Sequence, residues 1–110
     1  MSDFSRIAPQ RQEFTTTGAG AVVELGDAAR RYSLQVIGDP VAATAWSVDL
    51  EGSLDGVHFD TILTHTTGTG DGKIWWSGNQ QFPALFMRAK VNTLTLGSAS
   101  KLIVWILGAE

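Results

Sequence analysis

Residues 44–65, Thr-Ala-Trp-Ser-Val-Asp-Leu-Glu-Gly-Ser-Leu-Asp-Gly-Val-His-Phe-Asp-Thr-Ile-Leu-Thr-His, constrain the fold more than any other stretch of the chain. Apolar and polar residues alternate on both sides of Asp55-Gly56, a dipeptide that favours a two-residue hairpin turn because both of its central positions tolerate positive φ. Such a turn sets Gly52 opposite Phe59, Glu51 opposite Asp60, Leu50 opposite Thr61 and Trp46 opposite His65. One face then carries Trp46, Val48, Leu50, Leu54, Val57, Phe59 and Leu63. The other carries Ser47, Asp49, Glu51, Ser53, His58, Asp60, Ile62 and Thr64. The expectation is an antiparallel pair with one face in a core and the other largely in water.

The rest of the chain repeats this texture. Its 110 residues suit one domain, and 44 % hydrophobic residues are enough for a core. The 12 glycines fall mostly between apolar runs, as in an all-β domain with many turns. Residues 13–17 and 21–25 read as short strands around Gly18-Ala19-Gly20, and residues 27–31 as at most one helical turn. Residues 31–37 alternate cleanly and end at Gly38-Asp39-Pro40. The segment 66–72 reads as a flexible loop, 73–77 as a strand and 77–81 as a polar loop. Pro83 opens a strand over 85–94, and 102–107 is a final one. About seven or eight short strands at such spacing predict a single antiparallel β-sandwich over residues 14–110. Residues 1–13 lack periodicity and contain Pro9. They read either as a frayed terminus or as an extended N-terminal arm anchored on a partner by Phe4 and Ile7.

The last strand, Leu-Ile-Val-Trp-Ile-Leu, is apolar on both faces, so both faces need cover. Burying one large apolar side chain is worth roughly 1.5–3 kcal/mol, and Ile103, Trp105 and Leu107 share the face away from the core. Subunit or partner contact and intramolecular cover both answer that need.

Catalysis and metal binding find little support. The net charge is −3 with 8 Lys and Arg, so no global field draws the chain to nucleic acid or to an anionic membrane. With no cysteine, disulfides and thiolate metal sites are excluded. His58 and His65 point to opposite faces of the hairpin and cannot easily share an ion. Glu51 facing Asp60 calls for a basic neighbour such as Arg88 or Lys90, a bulge near Gly52, or a cation. Gly68-Thr69-Gly70-Asp71-Gly72 lacks the Lys-Ser/Thr and the helix of a phosphate loop, and no nucleophile, base and orienter can be assembled. The expectation is a non-enzyme without cofactor or metal. No apolar run reaches the about 18–20 residues needed to cross a bilayer, and the polar N-terminus has no signal-peptide pattern, so synthesis in the cytoplasm is expected. Of the tryptophans, Trp46 belongs to the core. One of Trp75 and Trp76 must point outward, where with Asp71 and Asn79 it could form a stacking platform for sugar.

Two resemblances follow. Ser53-Leu54-Asp55-Gly56-Val57-His58-Phe59 is similar to a hairpin of discoidin-like, galactose-binding-like β-sandwiches. Tyr32–Val36, Trp46–Gly56 and Phe86–Ala89 together resemble small β-sandwich proteins of tailed-bacteriophage virions, head decoration (cement) proteins in particular. That resemblance implies a jelly-roll-like structural subunit, often a homotrimer, that binds the major capsid protein on the capsid exterior and uses a terminal arm. The contact residues expected on that reading are Phe4, Ile7, Ile103, Trp105 and Leu107. The alternative is a carbohydrate-binding module of a phage tail or adsorption apparatus, built on Trp75, Trp76, Asp71 and Asn79.

Overall fold

The structure, a computed structural model, describes residues 9–67 and 71–109, with the side chains of all of these except residues 27, 28 and 76–82. Among the described residues the chain is all-β. Its strands are β1 (Gln10–Phe14), β2 (Gly18–Ala19), β3 (Val23–Asp39), β4 (Ala45–Ser53), β5 (Asp60–Thr66), β6 (Ile74–Thr95) and β7 (Lys101–Ala109). They form one antiparallel sheet in the order β1-β7-β3-β6-β4-β5, with β2 added alongside β6. The all-β antiparallel class expected from the sequence is the one observed. The sheet begins at Gln10, inside the stretch read as an arm. Phe4 and Ile7 lie outside the described residues.

Two strands are far longer than the usual five or six residues: β3 has 17 and β6 has 22. Each serves two parts of the sheet. Residues 31–39 of β3 pair with β7 along its whole length, and residues 31–35 also pair with residues 74–79 of β6. Residues 86–95 of β6 pair with β4, while its Phe86 and Met87 also meet Val23 and Glu24 at the start of β3. Between these parts the β3–β6 register slips three times, between Glu24 and Ser33. Bulges of this kind bend strands and leave backbone groups unpaired. Tyr32, 1 % exposed, answers that locally: its hydroxyl donates to the Ala29 carbonyl and accepts from the Ala84 N–H at 3.1 Å. The stretch read as a helical turn, residues 27–31, is therefore the bulged part of a strand, and the loop expected over 77–81 is strand backbone within β6.

The bends curl the sheet back on itself. Gln12 of β1 reaches β6, accepting from the Ala89 N–H at 3.3 Å, and its amide donates to the Ala21 carbonyl at 2.7 Å. At the other end His65 of β5 stacks on Trp75 of β6. Inside lies one core, with Leu34 and Val36 from β3, Val48 and Leu50 from β4, Met87 and Val91 from β6, and Leu102, Val104 and Ile106 from β7, all 0–1 % exposed.

The hairpin of residues 44–65 exists, and Trp46, Val48 and Leu50 face the core as expected. Its turn differs. β4 ends at Ser53 and β5 begins at Asp60, so six residues connect them. Observed pairs are Gly52–Asp60, Glu51–Thr61, Leu50–Leu63 and Val48–His65, with a register shift between Leu50 and Glu51. Leu54 and Val57, expected on the core face, are 68 % and 72 % exposed. Asp55 is the physical reason. Its Oδ1 accepts from the Val57 and His58 N–H groups, both at 2.8 Å, and from the Ser53 hydroxyl at 2.9 Å. Ser53 Oγ in turn accepts from the Gly56 N–H at 2.9 Å. Side chains capture the N–H groups that a tight turn would have paired across the hairpin. Gly56, at φ +78°, supplies the left-handed residue the loop requires.

Candidate functional site

The outer face of β7 was the first candidate from the sequence. Alternation puts Leu102, Val104 and Ile106 inward and leaves Ile103, Trp105 and Leu107 outward and half-buried. The flanking strands account for the half-cover. Trp105 lies between Arg11 of β1 and Gln35 of β3, and Ile103 between Glu13 and Ile37. Arg11 pairs with Glu13, which also accepts from Lys101 at 3.1 Å. Those cations, the Lys101 hydrogen bond foremost, hold the Glu13 carboxyl below its ordinary pKa. Trp105 and Leu107 also line a shallow groove of about 130 Å³ with Pro9 and Ile74, the last 59 % exposed. The three expected contact residues of β7 thus form one strip, with the chain at Pro9 beside it.

Of the residues read as a sugar platform, the structure describes the side chains of Trp75 and Asp71. Trp75 packs against the core, its ring parallel to that of His65 at 5.8 Å, with the Lys73 amine 5.9 Å from its centre. Trp46 meets the same imidazole edge-on at 4.9 Å. His65 is fully buried, and neither of its ring nitrogens has a partner among the described residues. Burial, the main cause, lowers its pKa. Asp71 is committed to the backbone, its Oδ1 accepting from the Gly38 N–H at 2.9 Å. The side chains of Trp76 and Asn79 lie outside those described.

Two of the hairpin carboxylates, Glu51 and Asp49, find partners, and two of the sequence alternatives, a basic neighbour and a register shift near Gly52, both occur. Glu51, 7 % exposed, accepts from Arg88 Nε at 2.8 Å, and the Arg88 guanidinium lies 4.0 Å above the ring of Phe59. Asp49 accepts from the hydroxyls of Thr64 at 2.8 Å and Thr61 at 3.3 Å. Thr61, not Asp60, stands opposite Glu51, because the six-residue connection sets a different register from a two-residue turn.

Sequence reasoning missed a cleft at the end of this hairpin. It holds about 630 Å³ between the 54–59 loop, the start of β5 and the Pro83–Ala84 stretch of β6. Leu54, Phe59, Ile62 and Pro83 give it apolar walls, and Asp55, His58 and Asp60 are its titratable side chains. Asp55 Oδ2 lies 2.7 Å from His58 Nδ1. The His58 backbone N–H, then its ring and the Val57 N–H, hold the Asp55 carboxyl far below its usual range. No signal in the sequence could have found this cleft, because one wall comes from the middle of β6. Among the described residues no three His, Cys, Asp or Glu side chains are grouped to hold a metal ion.

No protein-family model matches the chain, and no curated protein does. Among solved structures it resembles the SPBc2 prophage-derived protein YomS, with a TM-score of 0.56 at 12 % identity, covering 94 % of this chain and 96 % of that one. The likeness spans both chains almost end to end and shows a shared fold. PirA matches at a TM-score of 0.44 and 12 % identity over 99 % of this chain and 96 % of its own, which is too distant to carry an argument.

Proposed function

We propose that the chain is a non-enzymatic structural protein of a phage virion, a decoration protein that binds the major capsid protein from outside the shell as a homotrimer. The observation that carries this reading is the end-to-end likeness of the fold to a prophage-derived protein. It is joined by the resemblance of residues 32–36, 46–56 and 86–89 to virion β-sandwich proteins. The half-buried strip of Ile103, Trp105 and Leu107 is the surface proposed for subunit or capsid contact, extended by Phe4 and Ile7. Linked footprints then hold far better than single ones, by about 10²–10⁴ in effective affinity.

Sedimentation of the purified protein, alone and with empty capsids of the phage that encodes it, tests the proposal. A trimer that pellets with capsids is expected. Trp105→Ala and a deletion of residues 2–8, which stops short of β1, should each weaken co-sedimentation. If neither changes the oligomer or the capsid binding, the assignment is wrong. A sugar platform has less behind it, since Trp75 is stacked on His65 and Asp71 is held by Gly38.

A further inference from the structure

Among the described residues the strand order ends at β5, so the N–H and C=O groups on the side of β5 away from β4 have no described strand beside them. Strand β5 carries a single acidic residue, no lysine and no proline; of the usual devices that blunt an edge it has the register shift at Ile62. The hairpin-end cleft adjoins the same edge, because Asp60, Thr61 and Ile62 belong both to β5 and to the cleft lining. Leu54, 68 % exposed, also lines that cleft, on a loop already fixed by Asp55 and Ser53. The ion pairs among the described residues engage Asp55 with His58 and Glu51 with Arg88 but leave the exposed Asp60 without a cation.

We infer that the first half of β5 and the adjoining cleft form one docking site for an extended segment of another protein chain, which adds a strand at Asp60–Leu63. Its apolar side chain enters the cleft between Leu54, Phe59, Ile62 and Pro83, and a lysine or arginine two positions away sits beside Asp60. Three features select this occupant. An open strand edge offers main-chain hydrogen bonds only to extended peptide. A pocket contiguous with that edge accepts alternate side chains of the added strand. An acidic group without a cation favours a basic residue on the same face. The loop is pre-ordered, so little freedom is lost when the segment docks. The inference names peptide chemistry and does not depend on the virion reading.

The test is a titration of the ¹⁵N-labelled full chain with capped peptides Thr-Leu-Thr-Lys-Thr and Thr-Leu-Thr-Glu-Thr, followed by amide chemical shifts. Shifts confined to residues 53–62 and 83–85 are expected, stronger binding by the lysine peptide, and none by a version with proline at its centre. Asp60→Asn should weaken the lysine peptide by about two- to fivefold, the range of an exposed ion pair, and leave the glutamate peptide no weaker. Leu54→Asp alters an exposed wall without touching the core and should abolish apolar selection. Shifts centred on β1 or β7, equal binding of both peptides, or binding that survives the proline would each overturn the inference.

Discussion

The two edges of the sheet are built differently. Strand β1 has the sequence Gln-Arg-Gln-Glu-Phe, and its charged residues Arg11 and Glu13 are tied to each other and to Lys101. Strand β5 has the sequence Asp-Thr-Ile-Leu-Thr-His-Thr, and its one charge, Asp60, has no cation among the described residues. An edge lined with paired charges discourages a further strand, whereas one lined with threonines does not. The interiors behind the two edges differ in the opposite sense. Behind β1 lies a neutral amide, Gln12, and behind β5 a buried ion pair, Glu51–Arg88. The edge that is quiet outside is neutral inside, and the edge that is open outside rests on an internal charge.

The largest effect should come from the ion pair. Arg88→Met leaves Glu51 buried without a cation, which costs about 3 kcal/mol, and thermal melting should show it directly. Adding Glu51→Gln should recover part of the loss; failure to recover would mean that Arg88 acts through Phe59 instead. Next comes Gln12→Leu, which strips partners from the Ala89 N–H and the Ala21 carbonyl and should cost about 1–3 kcal/mol in a denaturant titration.

A smaller effect is expected from His65. Its folded pKa lies below its unfolded value of about 6.5, so below that pH the unfolded chain binds more protons. The stability associated with the neutral ring is present above about pH 6.5 and is lost as pH falls through the folded pKa. Urea midpoints measured from pH 7.5 downward should decline, and His65→Phe should flatten the decline. The smallest change belongs to Glu13→Gln on the exposed β1 edge, whose melting point should barely move at physiological salt. A marked drop there would show that β1 depends on its charges for pairing as well as for discouraging neighbours.

Much of the fold was legible because alternation reports faces directly. Trp46, Val48 and Leu50 alternate inward in β4, as Leu102, Val104 and Ile106 do in β7. Two features misled. The sequence reads as one strand ending at residue 25 and another opening at Pro83, yet both positions sit within the longer β3 and β6, where bulged pairing replaces a regular ladder. Asp55-Gly56 read as a two-residue turn, and local periodicity does not reveal that a carboxylate will instead capture several N–H groups. The outer strip of β7 followed from composition alone. The cleft did not, because it depends on where residues 83 and 84 pass the hairpin.

The pairing of β1 with β7 sets a schedule for biosynthesis. Gln10 meets Ile106 and Phe14 meets Leu102, so β1 has no partner and the strand between β1 and β3 is missing until residues 101–109 have left the ribosome. Until then β3 also lacks β7 beside it, and the inward faces of the earlier strands stay uncovered. Emerging chains should therefore be at their most aggregation-prone just before the last strand appears, and truncations that remove residues 101–109 should recruit chaperones.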